Sequence, residues 1–276
     1  MLSAMSFQKA NMRYFRIFFL QLQHAIEARS LSVVWFLTSL TTPLLMLIFW
    51  SGATAAAGGR IFSWSYSNFA TYYLFIALAS SMLTAHIEED VAFEDINKGN
   101  LSQYILKPFP YYTSKFLLEL PWRLFQGSLA ISGIVIVALF FKNLVSVTSS
   151  PIILLLAIVI AILAFILSFT FKMILGLLAF WFTEISGVMN VNEIIFSIAS
   201  GTLIPLEFFP NNLRTLFEIL PFSYMIYYPI IAFLGKLNTT SLLQVILMQL
   251  LWIFIFSLVY KFTWAKGRKT FTAVGL

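Results

Sequence analysis

Apolar residues gather in stretches at about residues 31–51, 66–87, 116–141, 151–182, 191–209 and 240–263, separated by charged residues, glycine and proline. A helix of 21 residues is about 32 Å long, enough for a hydrocarbon core of about 30 Å, so each stretch reads as a candidate membrane span. The fourth is too long to stand upright and must tilt, break near Gly176 or project from the bilayer. Lys172 falls toward the cytoplasmic end of that stretch, either as a snorkelling side chain or as a charge lining a pathway. The predicted fold is all-α: one domain over residues 1–276, a polytopic bundle of six transmembrane helices with an N-terminal amphipathic helix and an extracellular re-entrant hairpin.

Three segments between or before the spans carry further signals. Residues 7–30 place Phe7, Tyr14, Phe15, Phe18, Leu22 and Ile26 on one helical face, opposite Lys9, Arg13, Arg16, Gln23 and Glu27. That is the pattern of an interfacial helix on the cytoplasmic leaflet, whether it only orients the first span or does more. In the loop over residues 88–114, Glu88, Glu89, Asp90, Glu94 and Asp95 make the end of the second helix acidic, and Gly99 can close it in the left-handed conformation. Asn100 can cap a short helix over residues 101–106 that ends before Pro108 and offers Leu101, Tyr104 and Ile105 on one side. So short a helix is poorly stabilised alone, so it either packs on its own bundle or docks on a cytosolic protein. Residues 201–235 are cut by Pro205, Pro210, Pro221 and Pro229 into pieces too short to span, yet the pieces remain apolar and aromatic. Irregular backbone at membrane depth is tolerated where protein buries it or where it lines a cavity. The segment over residues 205–235 therefore reads as a re-entrant gate, with Phe222, Tyr224, Tyr227 and Tyr228 meeting cargo, or as an interfacial aromatic belt. On the fifth span, Ser197 and Gly201 have the small-xxx-small spacing that permits close helix contact.

Composition removes the soluble alternatives. With 60% hydrophobic and only 10% charged residues, the chain is far from the roughly 25% charged content of an average soluble domain. The net charge of +6 is distributed unevenly over the six-span layout. Lys9, Arg13, Arg16, Arg29, Lys98, Lys107, Lys115, Lys261, Lys266, Arg268 and Lys269 fall on one side, and Arg60, Lys142, Arg214 and Lys236 on the other. Both termini and the 88–114 loop are thus expected in the cytoplasm, in a multi-pass protein of the cell (inner or plasma) membrane. No long basic run or aromatic platform supports nucleic-acid binding. The apolar run at residues 17–22 is short and interrupted by Gln21, so the chain is expected to be retained whole. No internal repeat supports an inverted-repeat transporter.

Catalytic signatures are sparse. Cysteine is absent, and His24 and His86 lie on different segments without ligand spacing. Gly267, Arg268, Lys269 and Thr270 imitate the end of a P-loop, but Arg268 separates glycine from lysine and the earlier glycine is missing. Asn238, Thr239 and Thr240 form a glycosylation sequon.

Glu94 before Gly99, the apolar turn and proline over residues 101–108, the pattern Gly201, Pro205, Pro210, and Leu-Pro-Phe-x-Tyr over residues 220–224 together resemble an ABC-2 type transporter permease. The likeness covers nearly the whole chain and is nearest to the small bacterial permeases grouped with antibiotic-resistance and drug exporters. It implies a permease dimer, with an identical copy or a paralogue, on two ABC ATPase subunits that carry ATP and Mg; this chain itself would bind no cofactor. It further implies that the loop after the second span, through Glu94, Gly99, Asn100, Leu101, Tyr104 and Ile105, couples to the ATPase. The segment with Gly201, Pro205, Pro210, Pro221, Phe222, Tyr224, Tyr227 and Tyr228 would form the outer gate. The function so implied is outward movement of a hydrophobic or amphipathic substrate by alternating access. Two rivals are an intramembrane lipid-modifying enzyme and an ion-coupled secondary transporter. Both need convergent acid and base groups within the bilayer, whereas Glu184 and Glu193 fall near a predicted cytoplasmic turn.

Overall fold

The structure is a computed structural model that describes residues 2–106, 109–141 and 147–271, with side chains from residue 14 onward. The side chains of Phe7, Lys9 and Arg13, together with Lys107, Pro108 and Lys142, lie outside the described residues. Helix α1, Leu2–Glu27, turns at Ala28 into α2, Arg29–Ser39, which continues past Leu40 as α3, Thr41–Ala56. Strands β1, Arg60–Ile61, and β2, Trp64–Ser65, form a small antiparallel hairpin that leads into α4, Tyr66–Met82. A π-helix, Asp90–Asn97, and the short α5, Leu101–Ile105, precede α6, Tyr111–Phe140. Next come α7, Pro151–Leu177, with a 3-10 turn at Leu178–Phe180, and α8, Ser186–Ala199. A 3-10 turn, Leu206–Phe208, α9, Asn211–Ile219, α10, Tyr227–Phe233, and α11, Thr239–Thr270, complete the chain.

The result is an all-α membrane bundle in which, among the described residues, four helical stretches are long and apolar enough to cross a bilayer: Arg29–Ala56, Tyr111–Phe140, Pro151–Phe180 and Thr239–Thr270. The second and fifth predicted spans are shorter than the hydropathy pattern suggested. Helix α4 has 17 residues, because its backbone unwinds at residues 83–87. Helix α8 has 14 residues, about 21 Å, and stops before Gly201, whose φ of 80° ends the helix. The fourth stretch is α-helical to Leu177, and its 3-10 turn begins at Leu178, two residues after Gly176. Gly176 itself is a close-approach position: a Cβ there would lie 2.8 Å from the Glu88 carbonyl oxygen and 2.7 Å from Val91 Cβ.

Helix α11 packs along α7, α1 along α6, and α4 between α6 and α3. Helix α1 turns Tyr14, Phe18, Leu22 and Ala25 toward the protein, whereas Phe15 and Ile26 of the predicted apolar face are exposed. Two apolar clusters fill the bundle. One gathers Trp50, Trp64, Phe69, Tyr72 and the buried residues of 224–232, and the other gathers Val91, Leu101, Tyr111, Phe169 and Tyr260. Asn238 of the sequon serves as the N-cap of α11, its side chain accepting the Ser241 N–H at 2.8 Å.

Candidate functional site

Charged groups occupy three levels of the molecule. The first is at the end that carries α5. Lys115, only 1% exposed, pairs with Asp95 at 2.6 Å and with Asp90, and so clamps both ends of the π-helix to α6. Tyr111 donates its hydroxyl to Asp95 and stacks on Trp264 of α11 with ring centroids 4.8 Å apart. Burial pushes the Asp95 carboxyl above its ordinary range against the opposing pull of Lys115 and Tyr111. Gly99 has the expected left-handed φ, 79°, and the short helix follows it. Its faces differ from the prediction. Leu101 is fully buried in its own bundle, and Tyr104 packs edge-on against Tyr111 with the Lys115 ammonium 4.9 Å from its ring. Ile105 and the adjoining Leu106 are the exposed apolar pair, at 53% and 86%. Asn100 occupies the cap position without a capping hydrogen bond, since its backbone is already helical there. Glu94 is exposed and pairs with Lys98 at 2.6 Å.

The second level lies deeper. The unwound backbone at residues 83–87 has its N–H groups met by side chains of other helices: Ala85 donates to Ser168 Oγ at 3.1 Å and His86 to Glu119 Oε1 at 2.9 Å. Glu119 also takes Arg123 Nε at 2.7 Å, and Arg123 Nη1 donates to Gln126 at 3.0 Å. Lys172 is 2% exposed and ion-paired with Glu88, with Glu193 of α8 at 3.7 Å. Snorkelling is thereby replaced: the lysine points inward because two carboxylates receive it. The sequence reading passed over Glu119 and Arg123. Their signal was the spacing of Lys115, Glu119 and Arg123 at successive fours, which puts them on one helical face inside an apolar stretch.

At the third level, the opposite end, the predicted gate residues meet. Trp64 Nε1 donates to Glu207 Oε2 at 2.7 Å, Tyr227 donates to Glu207 Oε1 at 3.3 Å, and the Lys236 ammonium sits 3.4 Å from the Trp64 ring centroid. Burial holds the Lys236 amine below its ordinary value. Tyr224 stacks on Tyr228 at 4.6 Å. Tyr224, Tyr227 and Tyr228 line a cavity of about 340 Å³ together with Glu207, Arg214, Glu218 and Lys236. Phe222 stands apart, against Phe171 and Phe196. Pro205 and Pro210 precede the 3-10 turn and α9, and Pro221 follows α9. Gln249 donates to the Ile160 and Tyr224 carbonyls at 3.0 and 2.9 Å. At 1.5 Å per residue, Ile160 is about 14 Å from the start of α7 and Gln249 about 15 Å from the start of α11, which measures how far the Tyr224 turn enters the bundle.

Gly201 belongs to this level as well. Tyr72 donates to its carbonyl at 2.8 Å, and Tyr73 to that of Leu203 at 2.7 Å. A Cβ on Gly201 would lie 2.9 Å from the Tyr72 hydroxyl. The glycine therefore faces its own bundle beyond the end of α8, and the predicted packing stripe with Ser197 is not formed on that helix, because the left-handed turn takes Gly201 off it.

In a comparison with protein families, the model described as "ABC-2 family transporter protein" matches residues 40–275. No curated protein matches the chain significantly.

Proposed function

From the fact that the chain belongs to the ABC-2 transporter family, and so is a membrane permease of an ABC transporter, we propose that it exports a hydrophobic or amphipathic substrate by alternating access. Hydrolysis of ATP with Mg is assigned to ABC ATPase subunits, and the permease works as a dimer with an identical copy or a paralogue. The α5 end, which also holds the basic C-terminal turn of α11, faces the cytoplasm of the cell (inner or plasma) membrane, as the excess of Lys and Arg there favours. Residues 205–235 re-enter from the outside and form the outer gate. The family match favours this reading over a lipid-modifying enzyme or an ion-coupled transporter.

The observation that carries the coupling assignment is the pair of buried clamps on residues 88–97. Lys115 ties this segment to α6 and Lys172 ties it to α7, so a force applied at α5 reaches two long helices through ion pairs rather than through a slack loop. Exposed Ile105 and Leu106 are the contact points for the ATPase. The double variant Ile105→Asp, Leu106→Asp leaves every buried contact in place. It should abolish co-purification of the ATPase in mild detergent while the permease still inserts. An ATPase that stayed bound, with hydrolysis still stimulated by substrate, would reject this docking surface.

A further inference from the structure

A cavity of about 720 Å³ opens between α1, α2, the unwound end of α4 and α6. Along α6 its wall runs from Leu118 to Gln126, about 10 to 22 Å from the first residue of that helix, so it reaches well into the bundle from the α5 end. Its volume lies within the range of small-molecule sites. The wall is unequal in charge: Glu88, Glu89, Asp90 and Glu119 face Arg123, with His86 and Tyr104 as further titratable neighbours. Lys172 stands between Glu88 and Glu193, and Lys115 behind Asp90 and Asp95, which makes six carboxylates against three cations. Arg123 is already occupied by Glu119 and Gln126. Glu88 is 8% exposed and already paired with Lys172, whereas Glu89 is exposed on the cavity wall and has no ion pair among the described residues. A carboxylate left unpaired in a cavity with surplus negative charge fits a cation or a hydrogen-bond donor. Trp35 and half-buried Trp122 line the same wall and supply the indole faces that attract organic cations.

We propose that this acidic, tryptophan-lined cavity is the inward-side binding site of the permease and takes an amphipathic organic cation. The carboxylate of Glu89 holds the charge, and Trp35 and Trp122 hold the apolar body. The proposal rests on the transport reading for its meaning and names the class of cargo. Its test uses the permease alone, without ATPase or ATP, so that a failed site and a failed coupling scheme give different results.

The full chain is placed in nanodiscs of zwitterionic phosphatidylcholine, and tetraphenylphosphonium binding is measured by equilibrium dialysis, with tetraphenylborate as the anion of the same shape. Saturable binding of one phosphonium per chain is expected, with no saturable binding of the borate. Glu89 and Trp35 are both exposed to the cavity, so Glu89→Gln combined with Trp35→Ala should fold normally and weaken phosphonium binding about tenfold or more. Glu184→Gln, on the exposed turn before α8, should bind as the wild type does. Equal uptake of the two ions, or unchanged phosphonium affinity in the double variant, would overturn the proposal.

Discussion

Replacing Lys172 by methionine removes the ammonium that Glu88 faces and leaves the rest of the pair in place. Glu88 is buried, and burial already pushes its carboxyl up against the pull of Lys172. Without the lysine, the cheapest folded state is the one in which Glu88 takes up a proton, since an unpaired buried carboxylate is costlier still. The size of that penalty follows from the proton: neutralising a glutamate of ordinary value near 4.3 costs about 3.7 kcal/mol at pH 7 and about 1 kcal/mol at pH 5. The sign is fixed by proton uptake. The folded variant binds one proton more than its unfolded chain, so its stability falls by about 1.4 kcal/mol for each unit of rising pH above the ordinary carboxylate range. For a chain of this size 1 kcal/mol corresponds to roughly 2–4 °C. Lys172→Met should therefore lower the thermal midpoint in detergent by about 7–15 °C at pH 7 and by about 2–4 °C at pH 5, relative to the wild type at each pH. Adding Glu88→Gln removes the titrating group, so the double variant should recover most of the loss at pH 7 and show no such pH slope. A loss in Lys172→Met that is the same at both pH values, or a double variant no better than the single one, would show that the ion pair does not carry the charge balance of this level.

Two further outcomes are expected. Because the chain lacks cysteine, single cysteines at Lys98, Arg60 and Lys236 can be labelled with an impermeant thiol reagent in intact cells; positions 60 and 236 should react and position 98 should not, and external labelling at 98 would invert the orientation. Gly201→Ala forces a side chain into a left-handed turn against the Tyr72 hydroxyl and should cost about 1–2 kcal/mol, whereas Gly187→Ala, which meets nothing within 4 Å, should leave the thermal midpoint unchanged.

The long spans were legible because α6, α7 and α11 are apolar over more than the bilayer thickness, and that periodic signal needs no tertiary context. The ends of α4 and α8 were not. Hydropathy continues through Leu83 and Ile87 and through Leu203 and Ile204, yet the helices stop, because side chains such as Glu119, Ser168, Tyr72 and Tyr73 meet the freed backbone groups. Such partners come from residues far away in the chain. The prolines of residues 205–229 marked the broken backbone from sequence alone, and three of the four aromatics proposed for the gate share one cavity. Leu101 was misplaced because a helix of five residues shows too little periodicity to tell its inner face from its outer one.

The two broken ends give the proposed export cycle its mechanical form. Helix α4 is held at one end by Glu119 and Ser168, beside Glu88, and at the other by the bonds of Tyr72 and Tyr73 to the turn at residues 201–203. Helix α8 runs between the same two places: Glu193 lies near Lys172, the partner of Glu88, and the helix ends at the turn that these tyrosines hold. Two helices thus join the clamp on residues 88–97 to the turn at residues 201–203, next to the proposed gate. Where motion is needed, at residues 83–87, the backbone N–H groups are bonded to side chains, and these bonds can be exchanged for others at little net cost. In the proposed cycle a change at α5 would alter which side chains hold the break, and α4 would carry the change to the carbonyls of Gly201 and Leu203. Contacts of this kind couple two sites only through an element with two discrete arrangements, and in the proposed cycle that element is the unwound segment, bracketed by Glu119, Ser168 and the Glu88–Lys172 pair.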